Sequence, residues 1–203
     1  MTQAVAPIDR ASTPTDKLSM LAYVFWHWPQ AHTDIGEYEA RQRAFHAALA
    51  AGPAHGFRWS FTAGVSGAPW AAAGADAYED WYAVDDFAAL GTLNDAAVSG
   101  SRLAPHDAAA AAVAGGAGGV YGLRAGTAVR APQFAHWFGK PAGMSYHELF
   151  AQLTPVVDRA QAALWMRQMV LGPAREFCLH AATPLSLPAP FDTLVTRLRL
   201  VFP

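Results

Sequence analysis

Alternating apolar and polar positions predict most of the strands in this chain. Residues 20–28, "MLAYVFWHW", form an aromatic run that Pro29 ends. In "GFRWSFTAGV", Phe57, Trp59 and Phe61 alternate with polar residues, and a two-residue period is typical of a strand with one apolar face. The segment "AYEDWYAV" completes a hairpin with this run, and the final segment "TLVTRLRLVF" alternates in the same way.

Helical spacing predicts helices between these strands. The first helix follows the cap candidates Thr33 and Asp34, ends near Gly52, and has apolar residues at helical intervals: Ile35, Tyr38, Phe45 and Leu49. A second helix, "FAALGTLNDAAV", follows Asp85 and Asp86, whose carboxylates can cap it. An alanine-rich helix, "HDAAAAAVA", comes next, and "GGAGGVYGLRAG" then closes the first half with glycines and a short strand.

The glycine run "GGAGGVYG" is predicted to form a mobile flap or a tight turn. A phosphate-binding loop is disfavoured, because no Lys-Ser/Thr pair follows the glycines. The run also leads into a strand rather than a helix, so the amide donors of a helix N-terminus are missing.

After "TAVRAP" the same order of elements restarts. "QFAHWFG" predicts a strand, and "MSYHELFAQLTPVVDRA" predicts a helix that Pro155 should shorten or bend. "ALWMRQMVL" and "REFCLHAA" predict a hairpin around Gly172 and Pro173. The three prolines of "TPLSLPAP" exclude a regular helix where the first half has its second one.

A doubled motif marks the first strand of each half. Phe-x-His-Trp occurs at 25–28 and again at 134–137, and Tyr38 and Tyr146 both fall in the first turns of the helix that follows. Because the motif and the order strand, helix, strand, strand, helix, strand recur together, we interpret the chain as two split βαβ repeats.

This arrangement resembles the dimeric α/β-barrel superfamily. The resemblance implies an α+β fold in which two ferredoxin-like (split βαβ) repeats pack their antiparallel sheets face to face as a pseudo-dimeric α/β barrel. Residues 1–17 would be a flexible N-terminal segment, 18–127 the first repeat, and 128–203 a second, shorter repeat without a regular second helix. Members include cofactor-free monooxygenases, isomerases and haem enzymes, so the resemblance implies function by analogy alone.

Composition narrows the function classes. The chain has 203 residues, 53% of them hydrophobic and 15% charged, and a net charge of −2 with scattered Lys and Arg, which predicts a globular protein that does not bind nucleic acid. No apolar run is long enough to span a membrane, and no signal peptide is apparent, so the cytoplasm is expected. Cys178 is the single cysteine, which excludes an intramolecular disulfide and favours a buried core thiol.

Cofactor signals are weak. His-x-His, paired cysteines and His-Glu-x-x-His are all missing, so no metal site is predicted. No motif places the haem-binding histidine of a related enzyme in this chain, and no tightly held cofactor is expected.

Two histidines are the candidate catalytic residues. Strand alternation places His27 on the face of Phe25 and His136 on the face of Phe134. If these corresponding faces line the barrel interior, the two imidazoles approach one cavity from two sides and can transfer protons near neutral pH. The alternative is two core histidines, each bonded to a backbone carbonyl or a carboxylate.

Arg58 and Arg167 lie among large apolar neighbours on the hairpin strands of the two halves. An unpaired buried charge costs several kcal/mol, so each arginine either reaches solvent or a structural partner, or contacts an anionic ligand or a carboxylate such as Asp80 inside the barrel. The remaining substrate-binding candidates are aromatic or polar residues on predicted strands: Trp26, Trp28, Tyr82, Trp137 and His180. Aromatic stripes at strand spacing also form packed cores, and both interpretations stay open.

Two functions follow from these alternatives. In the first, the protein binds or transforms a small apolar or aromatic molecule in the barrel cavity, as a cofactor-free monooxygenase or isomerase would. In the second, it is a non-catalytic protein with a packed core that acts through its surface. A homodimer through the surface around "TPLSLPAP" is a further expectation.

Overall fold

The computed structural model describes residues 20–71 and 76–203, so the predicted flexible segment 1–17 lies outside the described residues. In these residues the strands are Leu21–Pro29 (β1), Phe57–Ser66 (β2), Ala77–Val84 (β3), Val113–Gly126 (β4), Phe134–Phe138 (β5), Ala163–Arg167 (β6), Phe177–Ala181 (β7) and Leu194–Phe202 (β8). The α-helices are Ile35–Ala51 (α1), Phe87–Ala97 (α2), Leu103–Ala110 (α3) and Tyr146–Ala160 (α4), and a short 3-10 turn spans Gly100–Arg102.

The strands form one closed antiparallel barrel in the order β1-β3-β2-β8-β5-β7-β6-β4. Read from β4, the order β4-β1-β3-β2 is followed by β8-β5-β7-β6, so the first, second, third and fourth strands of each half occupy the same relative places. The pairs β2–β8 and β4–β6 join the two halves. The fold is therefore α+β with an eight-stranded barrel.

Aromatic side chains from both halves fill the barrel interior. Trp26, Trp81, Trp137 and Trp165 are fully shielded from solvent and belong to one cluster to which all eight strands contribute. Their ring centroids lie close together, at 5.7 Å for Trp26 and Trp137 and 5.3 Å for Trp81 and Trp165. Such aromatic contacts stabilise a core beyond the area that they bury. Cys178 is also buried there, as predicted.

The outer faces of the strands pack against the helices. One apolar cluster joins β1 and β3 to α1, α2 and α3, and another joins β5, β6 and β7 to α4. The segment "TPLSLPAP" has no helix, as predicted, and Leu185 and Leu187 pack on the second of these clusters. That segment therefore covers part of the sheet where the first half has helices.

Local caps explain where the helices begin. The carboxylates of Asp34 and Asp86 accept backbone N–H groups in the first turns of α1 and α2. Ser145 and Glu148 form a reciprocal capping box at α4. Of the two predicted effects of Pro155, shortening or bending, the first does not occur, because α4 continues through Pro155 to Ala160. The alanine-rich helix begins at Leu103, before the predicted segment, and ends at Ala110.

The glycine run is not a flap or a turn, and that prediction was wrong. Residues 115–119 lie within β4 and pair with β1. A Cβ atom on Gly116 would lie 2.5 Å from the ring of Phe25, and one on Gly115 would lie 2.7 Å from the ring of Trp28. The glycines are therefore needed because the aromatic rings of β1 lie across β4 on both of its faces.

Candidate functional site

A cavity of about 710 Å³ lies outside the barrel, between the outer face of β1, β3 and β4 and the three helices of the first half. Its walls are mainly apolar, and Phe25, Phe45, Leu93, Ala109 and Val120 contribute to them. A few polar side chains enter it: Tyr23, Gln42, Asp80, Tyr82, Asn94 and His106. Apolar walls with few polar groups are typical of small-molecule sites.

Asp80 is the central polar group of this cavity. It lies on the outer face of β3, is almost fully buried, and accepts a hydrogen bond of 2.7 Å from the hydroxyl of Tyr82. Two imidazoles flank its carboxylate: Nε2 of His27 is 3.1 Å from Oδ1, and Nε2 of His46 is 3.5 Å from Oδ2. The carboxylate thus has three potential donors in an otherwise apolar setting.

The surroundings of Asp80 favour its charged form. Burial by itself would raise the pKa of the carboxyl group, but the imidazoles of His27 and His46, through charge and hydrogen bonding, hold that pKa below its usual range. Asp80 is therefore a carboxylate at neutral pH. A buried anion of this kind requires partners that compensate it, and the two histidines are in place to do so.

Several buried polar atoms at this site have no well-aligned hydrogen-bond partner among the described residues. They are Nε2 of His27, Oδ1 of Asp80 and Nε2 of Gln42. The first two are close to each other, but their contact is poorly aligned for a hydrogen bond. Gln42 lines the cavity, so its amide can donate a hydrogen bond to a molecule bound there.

Tyr38 contacts the second nitrogen of the His27 ring, Nδ1. Its hydroxyl is hydrogen-bonded to Nδ1 of His27, which fixes the orientation of the imidazole. Burial, followed by the nearby charge of Asp80, raises the pKa of Tyr38 well above its usual value. Tyr38 therefore stays a neutral hydroxyl.

His46 is oriented by Ser60. Its Nδ1 lies 2.7 Å from Oγ of Ser60, and its ring stacks on Tyr82 with centroids 5.1 Å apart. Ser60, His46 and Asp80 are the residue types of a hydrolase triad. In that mechanism serine contacts Nε2 of the histidine and aspartate contacts Nδ1, whereas here Ser60 contacts Nδ1 and Asp80 contacts Nε2. The Ser60 side chain is buried and does not line the cavity. We therefore assign Ser60 the role of orienting the His46 ring.

The two motif histidines lie on corresponding faces, as predicted, but those are the outer faces of the barrel. His27 contacts the carboxylate of Asp80 on the outer face of the first half. His136 lies in the second half, where its Nε2 accepts the backbone N–H of Leu185 at 2.9 Å and its Nδ1 is 3.2 Å from the carbonyl of Leu179. Burial lowers the pKa of His136. The structure does not bring the two histidines to one cavity, because the outer faces of the two halves point away from each other.

The other predicted site residues are dispersed. Tyr82 lines the cavity, whereas Trp26, Trp137 and His180 lie inside the barrel and Trp28 packs over Gly115. Arg58 pairs at the surface with Asp85 rather than Asp80. Arg167 donates to the carbonyl groups of Gly172 and Ala174 and so holds the β6–β7 loop.

Sequence reasoning missed most of the polar residues around the cavity. The sequence patterns predict Asp80 only as a partner for an arginine and predict no role for Gln42 or His46. A signal was present: Tyr38, Gln42 and His46 follow each other at intervals of four residues in α1 and share its buried face. Polar residues on the apolar face of a helix are unusual and indicate a site.

A second group of buried ionisable residues lies inside the barrel. Glu79 accepts hydrogen bonds from the indole N–H groups of Trp26 and Trp81 at 3.2 and 3.1 Å. Burial raises the pKa of Glu79 to about 7. His180 has no partner for either ring nitrogen among the described residues, and burial lowers its pKa to about 3. Burial therefore disfavours the charged form of both side chains.

A larger depression, of about 1090 Å³, lies between the ends of β2 and β8. Its lining includes Ser66 and the exposed Arg197 and Arg199, and it contains none of the buried carboxylates or histidines. In residues 20–71 and 76–203, no three or more His, Cys, Asp or Glu side chains are arranged to hold a metal ion. None of the described helices combines the length and the apolar character needed to cross a membrane.

Comparison with known proteins identifies the fold. No family model matches the sequence, and no curated protein does. A solved structure from Lactobacillus acidophilus, provisionally described as a monooxygenase, superposes with a TM-score of 0.54 at 9% identity, over 90% of this chain and 94% of that one. Another, provisionally described as a chlorite dismutase, has a TM-score of 0.52 at 8% identity, over 88% and 94% of the two chains. The likeness is one of fold: both structures share the α+β barrel architecture of this chain.

Proposed function

We propose that this protein binds and transforms a small apolar or aromatic molecule in the cavity between the barrel and helices α1–α3. The observation that carries the proposal is the buried carboxylate of Asp80, which lines a mainly apolar cavity and is contacted by two imidazoles and a phenol. Burying a charge is costly, and residues that keep such an arrangement are typical of functional sites.

The arrangement supports proton transfer. The Asp80 carboxylate faces the cavity and can accept a hydrogen bond from a hydroxyl or amine of the ligand, while the Gln42 amide can donate one. The Tyr38 hydroxyl orients His27, whose Nε2 lies 3.1 Å from Oδ1 of Asp80, so the two side chains can exchange a proton. In this proposal His27 and Asp80 act together as an acid–base pair, and His136 has a structural role.

Two reaction types use such a pair without a tightly held cofactor. Isomerisation requires that a proton leave one carbon of the molecule and return to another. Monooxygenation would require dioxygen as a second reactant. Dioxygen would take electrons from the deprotonated molecule, one oxygen atom would bond to its carbon, and the O–O bond would break so that the other oxygen leaves as water. The likeness in fold to a protein provisionally described as a monooxygenase supports this class by analogy.

The proposal includes the repeat interpretation of the chain. The halves 18–127 and 128–203 would be tandem ferredoxin-like units, and the recurrence of one strand order in the barrel supports this. The units would have diverged: the first keeps helices that enclose a cavity, and the second covers its sheet with the segment around Leu185.

The alternative is a non-catalytic protein with a packed core. The filled aromatic interior of the barrel favours it. The two functions differ in what they require of the helix–sheet cavity, since only the first needs that cavity to admit a ligand.

The test uses 1-tetralone, a flat aromatic ketone with weakly acidic C–H groups next to its carbonyl. We expect the full chain in D₂O to bind tetralone, seen as NMR shifts of amides lining the cavity, and to accelerate deuterium incorporation beside the ketone. Asp80→Asn should slow the exchange by about 100-fold, the usual contribution of a positioned acid–base group.

The matched control is Asp192→Asn, since this carboxylate is exposed and pairs with Arg175 in the other half. It should leave both binding and exchange unchanged. Binding without accelerated exchange would remove the acid–base role, and failure of the cavity amides to shift would remove the proposed ligand class.

A further inference from the structure

The outer face of β1 and β3 carries one carboxylate among aromatic rings. The register of the two strands places Phe25 opposite Asp80, and the next pair on the same face is Tyr23 and Tyr82. These four side chains line the cavity, and Phe45 of α1 adds a further ring to its wall. The rings of Tyr23 and Tyr82 are nearly parallel with centroids 6.0 Å apart, and the ring of Phe25 continues this aromatic surface. The sheet side of the cavity is therefore both aromatic and acidic.

The cavity wall carries negative charge that no basic side chain on it neutralises. Among the described residues that line the cavity, Asp80 is the only carboxylate, and none is lysine or arginine. The neighbouring imidazoles hold the pKa of Asp80 below its usual range, so the carboxylate is charged at neutral pH. In an apolar setting the interaction of such a charge with a ligand is weakly screened, so the charge of the ligand affects its binding strongly.

The two histidines that contact Asp80 can do so as neutral imidazoles. Nδ1 of His27 faces the hydroxyl of Tyr38, and Nδ1 of His46 faces that of Ser60. A hydroxyl can donate to an unprotonated ring nitrogen, and the single proton of a neutral imidazole then lies on Nε2. In both histidines Nε2 is the nitrogen near Asp80. Two neutral rings thus direct N–H groups to the carboxylate and leave its negative charge in place.

The aromatic rings around Asp80 also favour a cation. Burial, and then the charge of Asp80, raises the pKa of both Tyr23 and Tyr82, so each remains a neutral phenol. The face of a neutral aromatic ring carries partial negative charge, and it attracts a cation that lies within about 6 Å of the ring centroid. The carboxylate and the rings therefore act in the same direction on a positively charged group in the cavity.

We propose that the cavity selects molecules in which a protonated amine is attached to an apolar or aromatic body. The ammonium group pairs with the Asp80 carboxylate beside the rings of Tyr23 and Phe25. The body of the molecule contacts the apolar wall to which Leu93 of α2 and Ala109 of α3 belong. An anionic molecule is excluded, because its charge would be buried near that of Asp80 without a cation to compensate it. The inference rests on the proposed function, since it names the class of molecule that enters the same cavity.

Three ligands of matched shape test the charge preference on the unchanged full chain. They are 1-naphthylmethylamine, 1-naphthalenemethanol and 1-naphthoic acid, which are cationic, neutral and anionic at neutral pH. Isothermal titration calorimetry measures their affinities, and NMR shifts of the amides of Tyr23 and Tyr82 confirm that they bind in the cavity. We expect the amine to bind about tenfold more tightly than the alcohol, and the acid not to bind.

Substitutions show whether Asp80 and the rings cause this preference. Asp80→Asn should abolish the advantage of the amine over the alcohol while leaving the affinity for the alcohol unchanged. Phe25→Leu keeps an apolar side chain but removes a ring, so it should weaken binding of the amine more than that of the alcohol, and it covers the case in which Asp80→Asn does not fold. Asp95→Asn is the matched control, because Asp95 is an exposed carboxylate of α2 outside the cavity lining, and it should keep the full preference.

The outcomes distinguish this inference from the proposed function. Equal affinities of amine and alcohol, binding of the acid, or a preference that persists in folded Asp80→Asn would overturn the amine class, whereas tetralone binding and exchange test the proposed function separately. A preference for the amine without tetralone exchange would support the inference and remove the acid–base role. If none of the three naphthalene ligands binds, the inference fails, and if tetralone does not bind either, the proposed function fails with it.

Discussion

The Nε2 atom of His27 lies 3.1 Å from Oδ1 of Asp80, and both side chains are almost completely shielded from solvent. The histidine of the second motif, His136, instead accepts the backbone N–H of Leu185 at its Nε2 atom. One motif thus serves two purposes. The apolar positions of Phe-x-His-Trp pack both first strands, while the residues around each imidazole decide whether it contacts a charge or a backbone amide.

Substituting each of these histidines by asparagine should separate the two roles. His27→Asn is expected to slow deuterium incorporation into 1-tetralone by about 100-fold, because it removes the acid–base partner of Asp80. His136→Asn should leave exchange unchanged but lower the free energy of unfolding by about 2 kcal/mol, because the N–H of Leu185 loses its acceptor. Exchange assays and urea titrations of both variants check this. Equal loss of exchange in both would contradict the assignment.

Glu79 should make the protein less stable as pH rises. Its pKa is raised from 4.5 to about 7 in the folded state, so its stabilising contribution is complete below pH 4.5 and is lost as pH rises through 7. We expect a loss of about 3 kcal/mol by pH 8 that Glu79→Gln abolishes. Urea titrations at pH 5 and pH 8 measure it.

The control for Glu79→Gln is Glu37→Gln, because Glu37 is an exposed carboxylate that pairs with Arg41 at the surface. It should show the same pH dependence as the unchanged chain. If Glu79→Gln also showed that dependence, ionisation of Glu79 would not be its source.

His180 should make the protein less stable as pH falls. Its pKa is lowered from 6.5 to about 3, so the stability that depends on its neutral form is present above pH 6.5 and is lost as pH falls towards 3. At pH 5 the loss should be about 2 kcal/mol, and His180→Phe should remove it while keeping an aromatic ring against Trp81. Unfolding free energies at pH 7 and pH 5 decide this, with the exposed His55→Phe as control. The prediction would be contradicted if His180→Phe lost as much unfolding free energy between pH 7 and pH 5 as the unchanged chain.

The glycines of β4 should not tolerate side chains. Gly116→Ala is expected to cost about 2 kcal/mol, since its Cβ would lie 2.5 Å from the Phe25 ring and 2.7 Å from the carbonyl of Trp26. Gly91→Ala is the matched control: it lies in α2 with open space around it, and removing a helical glycine should stabilise the protein by about 1 kcal/mol. Thermal melts measure both, and a neutral Gly116→Ala would contradict the close packing of β1 on β4.

Local sequence patterns predict the order of the elements, helix starts at the cap candidates Thr33–Asp34 and Asp85–Asp86, and the missing helix at "TPLSLPAP". These features depend on local chemistry: a two-residue period, a carboxylate that caps the first turn, and prolines that cannot continue a helix. The recurrence of this order also predicted the barrel fold, because two sheets that each have one uncovered face can bury those faces together.

Which face of each strand points inward follows from the packing of distant elements and not from the local pattern. In β3 all eight residues are buried, so polarity along the strand does not distinguish the barrel interior from the helix-covered side. Alternation therefore placed His27 and His136 on equivalent faces without showing that these are outer faces. The cavity depends on Asp80 of β3 meeting Gln42 and His46 of α1, which are distant in sequence and come together only when the helix packs on the sheet.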